Sequence, residues 1–499
     1  LQTKTSLNLT GNTIDNKGVI NAYGDVTVDT VAGLYGANGT LNLSGSTLTV
    51  TGAQAIDLSD TNAKIKADAG STFKAENANV TIGNGFESKV PNLVAGTLTV
   101  KGDVNSAPDT SYQNRPFLVI NSGSVTALNE VKGSPKNTEI AVYNKKSGGS
   151  ATLTLGNADT TNGKLTDIAR VYVGVGEAGM DSTNTLNVNG KWDFGNAKLA
   201  VGNNGTLNIN EGAEVSNIER LQIHGNQVDA KNTVNVNGTL KIKRLLAAES
   251  QTTGGDEINV NGTLEIQGDG KDKDASTTTE GKFDNDVQLT KATLNIKAGG
   301  TVALATEDAW DDVLKKNTNS STGITTFEVQ ATGGNTTDFG GWDKDKVKLN
   351  AGGTLSMDLS GYKVADKAAL DNLTADLQAS GSKGLIDFGG VSLGKLETNP
   401  DGSINLDKMP NVKTEATQNL EVNLDRTTSL NESYSMGSAN VSGNSLTVSG
   451  GSTLEFNNAK NGQFATNKDA AAGADSSVNV TLSDNSALKL NGNGSLGDI

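Results

Sequence analysis

The chain has 499 residues, a formal net charge of −15, one His, no Cys, 60 Gly and only 4% aromatic residues. Without Cys there is no disulfide framework, no thiolate zinc site and no Cys nucleophile, and a single His leaves no His-rich metal site or paired-His acid/base chemistry. The acidic balance does not supply the Lys/Arg surface that neutralises phosphates, which argues against nucleic acid as a general partner.

Few aromatics argue against a large conventional globular core, while 34% apolar residues in strict local alternation argue against disorder. The chain opens Leu1-Gln2-Thr3-Lys4, without a basic or apolar leader, and reads as processed or trimmed. No stretch approaches the roughly 20 apolar residues that span a bilayer, so no membrane insertion is expected within this segment.

Short alternating units recur along the chain. Ser6-Leu7-Asn8-Leu9, Thr40-Leu41-Asn42-Leu43, Thr47-Leu48-Thr49-Val50, Thr97-Leu98-Thr99-Val100 and Thr152-Leu153-Thr154-Leu155 come first. The clearest copies align without gaps: Thr185-Leu186-Asn187-Val188-Asn189-Gly190, Thr233-Val234-Asn235-Val236-Asn237-Gly238 and Glu257-Ile258-Asn259-Val260-Asn261-Gly262. Thr206-Leu207-Asn208-Ile209 falls between the first two, and Thr293-Leu294-Asn295-Ile296 follows the third across a charged stretch, Asp269 to Gly281, that reads as an inserted loop. Ser445-Leu446-Thr447-Val448, Thr453-Leu454-Glu455-Phe456 and Ser477-Val478-Asn479-Val480 continue the pattern.

Each unit predicts a strand of three to five residues with one apolar face, ended by Asn-Gly, whose residues tolerate positive φ. Such strands cannot fold alone, but stacked turns bury their apolar rows and pair each backbone amide with the turn above and below. A period near 21 to 27 residues is one coil of a parallel β-helix. The competing fold, tandem β-sandwiches, repeats at roughly 100 residues with longer strands. The Asn residues at 8, 42, 187, 208, 235, 259 and 295 are expected either to be solvated or to stack as amide ladders.

Residues 306–400 break the pattern, dividing the chain into a solenoid over 1–305, a side subdomain with two short helices, and a continuing solenoid over 401–499. Thr306 to Lys316 reads as a helix with acids first and lysines last, and Trp310, Val313 and Leu314 on one face. Lys363 to Ala379 reads as a longer one, with Leu370, Leu373 and Leu377 as its stripe. The segment is either a structural insertion, the reading favoured here, or a protruding recognition element.

No catalytic or cofactor constellation emerges. Asp-Phe-Gly at 193–195, 338–340 and 387–389 lacks the other kinase motifs and reads as turns. Asp269 to Asp274 fails the EF-hand pattern, because Lys271 and Asp274 stand where an acid and a Gly belong; calcium remains open without a motif, and no other cofactor is expected. The five Arg, at 115, 170, 220, 244 and 426, look scattered, and His224 reads as an outward strand residue, which disfavours a polysaccharide-active enzyme. Trp192 takes the place of Leu240 and Leu264 and reads as core. Trp342, after two glycines and beside Asp343 and Asp345, is the candidate exposed contact.

The Thr-Leu-Asn-Val-Asn-Gly-Thr-Leu units resemble the passenger region of bacterial autotransporter adhesins of the self-associating, biofilm-forming type; surface-layer proteins share the composition. The resemblance implies a right-handed β-helix displayed outside the outer membrane, adhering to itself or to host or bacterial surface molecules, and it carries over no catalytic residue. The family's Gly-Asp-Ser-Gly protease motif and its C-terminal membrane barrel are not in this sequence. The alternative is a subunit of a surface lattice or filament.

Overall fold

The computed structural model describes residues 2–60, 62–83, 89–101, 117–120, 123–134, 136–174, 181–224, 230–247, 255–268, 286–329, 342–359 and 361–364, with shorter stretches between 369 and 496. The chain is an all-β protein built as a parallel β-helix. It divides into two compact units, Leu1–Glu265 with Gln288–Leu294, and Ile266–Val287 with Asn295–Ile499.

In the first unit the repeated apolar residues meet in register. One column runs Leu7, Val26, Leu48, Phe73, Leu93, Val125, Leu153, Leu186, Leu207, Val234 and Ile258, each the parallel neighbour of the next. From Val26 onward every member is buried. A second inner column, Ile140, Val171, Leu199, Leu221 and Leu245, lines another face. Burial of a side chain of this size contributes about 1.5–3 kcal/mol, so the columns hold the coils together.

One coil shows how the turns work. Thr183–Val188 forms the first face. Asn189 and Gly190 turn the chain into Lys191–Val201, an 11-residue strand. That strand exceeds the expected three to five residues because it carries two faces. Its register against Glu214–Ile223 slips between Asp193 and Ala197. Gly195 (φ 56°) and Asn196 (φ 65°) adopt left-handed backbone at the slip. A bulge of this kind bends a strand without ending it. Asp193 and Phe194 are therefore strand residues leading into a corner, and Leu385–Asp387 is likewise a strand, where turns were expected.

The asparagines stack. Nδ2 of Asn208 donates to Oδ1 of Asn187 at 2.9 Å, Asn235 to Asn208 at 2.9 Å, and Asn259 to Asn235 at 3.1 Å. Asn42 donates to Asn21 at 2.8 Å, Asn210 to Asn189 at 2.7 Å and Asn261 to Asn237 at 2.8 Å. Asn8 instead accepts from the Thr10 amide at 3.0 Å, within its own turn. Each net hydrogen bond is worth about 1 kcal/mol. Asn235→Ala removes two, and chemical denaturation is expected to show a loss of about 1–2 kcal/mol. An unchanged midpoint would mean that the ladder adds nothing to stability.

In the second unit Val302, Leu355 and Ile386 stack in parallel on Thr301–Leu304, Thr354–Met357 and Leu385–Asp387. Solenoid strands thus lie within 306–400, a correction to the boundary drawn from sequence. Asn419–Leu430 pairs in parallel with Ser438–Val448, and Thr453–Phe456 with Ala487–Leu490.

The first expected helix is also shorter. It spans Glu307–Trp310, with Thr306 accepting from the Ala309 amide. Leu314–Thr318 is a strand, paired antiparallel with Thr325–Val329. Asn317 and Thr318 favour strand and turn geometry over helix, and the hairpin supplies pairing that a further helical turn would forgo. The expected apolar face is nonetheless buried, with Trp310, Val313 and Leu314 all fully covered. Of the second helix, Lys363–Val364 is a strand paired with Ser392–Leu393, Ala369, Asn372, Leu373, Asp376 and Leu377 are helical, and the remainder lies outside the described residues.

Candidate binding cleft

Trp342 is 1% exposed, so it is core rather than an exposed contact. Trp342 precedes a 3-10 turn, Lys344–Lys346, which Asp343 caps by accepting from the Asp345 amide at 3.0 Å. Asp343 is half-buried and Asp345 exposed. The Asp343 carboxylate therefore serves the turn, and Trp342, Val347 and Leu349 are all buried. Trp192 is core, as read from its place in the repeat, and donates to the Asn189 carbonyl at 3.1 Å. His224 is half-buried just after a strand, and its amide donates to Val201. The stretch Asp269 to Asp274 lies outside the described residues.

Three of the five arginines that look scattered in sequence share one column. Glu139, Arg170, Lys198, Arg220 and Arg244 are successive parallel neighbours. The three Arg are less than a tenth exposed. Arg170 lies 5.2 Å from the Tyr172 ring centroid, and Lys198 pairs with Glu219 at 3.5 Å. Aligning the apolar residue after each cation (Val171, Leu199, Leu221, Leu245) would have revealed the column. Among the described residues no group of three His, Asp or Glu is placed to hold a metal ion. No helix among them is long and apolar enough to cross a membrane.

A concavity lies in the second unit, beside the hairpin. Three rings brace the hairpin edge-to-face: Trp310 and Phe327 at 6.0 Å, Trp310 and Tyr362 at 5.8 Å, Phe327 and Tyr362 at 5.7 Å between centroids. Such pairs add about 0.5–1.5 kcal/mol each beyond area burial. Trp310 is anchored from below, its Nε1 donating to the Asp358 carbonyl at 2.9 Å. Lys316, opposite Phe327 across the hairpin, donates to Glu307 and Tyr362, and its ammonium lies 5.3 Å from the Tyr362 centroid. The Lys316 hydrogen bond, then that of Tyr362, holds the Glu307 carboxyl below its usual range. The same bond to Glu307, then Tyr362, holds Lys316 above its own. Desolvation, then the bond to Glu307, raises the Tyr362 phenol.

A cleft of about 630 Å3 opens alongside, lined by Lys315, Thr326, Phe327, Glu328, Val329, Ala369, Asn372, Leu373 and Asp376. That size is within the range of ligand sites, roughly 300–1,000 Å3. The helical residues come at the i, i+3, i+4, i+7 spacing of one helix face. Sequence patterning found that face in part, through Leu373, but not the strand opposite it.

No family model, curated protein or solved structure matches the chain. Its assignment rests on its own architecture, a parallel β-helix with a braced hairpin.

Proposed function

We propose that this chain is a non-enzymatic bacterial cell-surface β-helix that mediates adhesion or self-association. The observation that supports this reading most is the outward polar row. Thr185, Thr206 and Thr233 are register neighbours, and the Asn187, Asn208, Asn235 and Asn259 amides are fixed by one another. Strand spacing repeats these groups about every 4.8 Å. A rigid wall of identical groups presents many equivalent weak contacts at once, and linked weak contacts yield avidity without any single strong site.

The charge of −15 keeps the chain soluble and opposes contact between copies. Salt shortens the reach of that repulsion from about 10 Å at 0.1 M to about 3 Å at 1 M. Aggregation of cells displaying the chain is therefore expected to rise with ionic strength or calcium, read as settling rate. A flat response would count against charge-regulated association. Electron microscopy of the displaying surface is expected to show sparse fibres, and ordered arrays would assign the chain to a surface lattice instead.

A further inference from the structure

We infer that the cleft beside the hairpin binds an extended polypeptide segment by strand addition to Thr325–Val329, with a basic side chain of that segment held between Glu328 and Asp376. The inference names a partner chemistry for the adhesive reading and rests on it.

The geometry points to a strand rather than a compact ligand. Four consecutive residues, 326 to 329, line the cleft. Successive side chains of a strand point to opposite faces, so a wall made of all four is the strand's edge. Among the described residues Thr325–Val329 pairs with Leu314–Thr318 alone. In an antiparallel pair alternate residues direct their N–H and C=O groups away from the partner, which leaves an unpaired ladder facing the cleft. The opposite wall is a helix face. An edge strand facing a helix across a groove is the arrangement in which an added strand gains main-chain hydrogen bonds, while side-chain pockets set specificity.

Charge selects the occupant. Glu328 stands on the strand wall and Asp376 on the helix wall, with Lys315 as the one cation among the lining residues. Among the described residues none of these three side chains, nor that of Asn372, has a hydrogen-bond or ion-pair partner. Lys315 stands opposite Glu328 across the hairpin, so the two exposed carboxylates leave the lining one charge negative, which favours an incoming ammonium or guanidinium. Phe327 cannot swing in to fill the space, because Trp310 and Tyr362 both brace it. The groove is therefore formed before binding, which lowers the ordering cost.

The test uses the full chain and three fluorescein-labelled, end-blocked pentapeptides: Thr-Val-Lys-Val-Thr, the same with Glu in the centre, and the same with Pro at both Val positions. Fluorescence anisotropy is expected to show saturable binding of the Lys peptide, about tenfold weaker binding of the Glu peptide, and none of the Pro peptide. Asp376→Asn and Glu328→Gln, both exposed and isosteric, are each expected to weaken the Lys peptide about tenfold. Equal binding of all three peptides, no binding of any, or indifference to both substitutions would overturn the inference. So would binding of lactose that the substitutions abolish while the peptides stay unbound, since the cleft would then be a sugar site. Salt-dependent cell aggregation is scored separately. If it persists while peptide binding fails, the inference falls and the adhesive reading stands.

Discussion

Val236→Asp is expected to destroy the folded state of the first unit at neutral pH. Val236 is 0% exposed and lies in register between Ile209 and Val260. A carboxylate there has no cationic register neighbour, and an unpaired buried charge costs at least several kcal/mol. By comparison Val236→Ala removes about two methylene equivalents and is expected to cost about 2 kcal/mol. The Asp variant should also respond to pH in a defined direction. Burial raises the carboxyl's pKa in the folded state, so the folded form binds the proton more tightly than the unfolded chain. Stability should therefore recover as pH falls through that raised value. Circular dichroism melts of both variants across pH check the expectation; a wild-type melt for Val236→Asp would mean that residue 236 does not face a core.

Gly262→Ala is expected to be the second most damaging change, although it adds one methyl group. A Cβ at Gly262 would lie 2.1 Å from the Gly238 carbonyl oxygen and 2.6 Å from that of Asn237, both on the coil beneath. Neither atom can yield without displacing a coil. Gly212 provides the contrast: its φ is +75°, but nothing lies within 4 Å of the position a Cβ would take. Gly212→Ala is expected to cost only the left-handed backbone penalty of about 1–2 kcal/mol. Gly262→Ala should exceed it in denaturant unfolding. If Gly212→Ala proves the worse of the two, dihedral strain rather than coil spacing governs these turns.

That contrast shows what sequence reasoning could and could not see. The Asn-Gly pairs at 237–238 and 261–262 mark turns correctly, but the expected cause was positive φ. At Gly238 and Gly262 the cause is contact with the preceding coil, a relation between residues two dozen positions apart that local chemistry does not encode. The inner column was legible because Leu186, Leu207, Val234 and Ile258 recur in the same tetrapeptide. The asparagine ladder was legible for the same reason. The cationic column was not, because the corner bulges at Asn196 and Asn217 shift the spacing between the first face and the face that carries Arg170, Lys198, Arg220 and Arg244.

The hairpin was hidden differently. Acids at 307 and 308 and lysines at 315 and 316 suit a helix dipole, and the helix does begin at Glu307. Pairing of Leu314–Thr318 with Thr325–Val329 is a tertiary outcome that periodicity cannot report. The cleft follows from that pairing, so it too was invisible, although the helix face that completes it was half seen.

The fold depends on the parallel stacking of neighbouring coils, and a cysteine pair measures it most directly because the chain has no Cys of its own. Asn235→Cys with Asn259→Cys places two thiols on register neighbours whose side chains now hydrogen-bond at 3.1 Å. Adjacent strands lie about 4.8 Å apart, within the span a disulfide bridges. Mild oxidation of the folded chain is expected to crosslink this pair and to leave Asn187→Cys with Asn259→Cys, three coils apart, unlinked. A pair at 235 and 259 that stays reduced, or a link at 187 and 259 instead, would contradict the parallel β-helix.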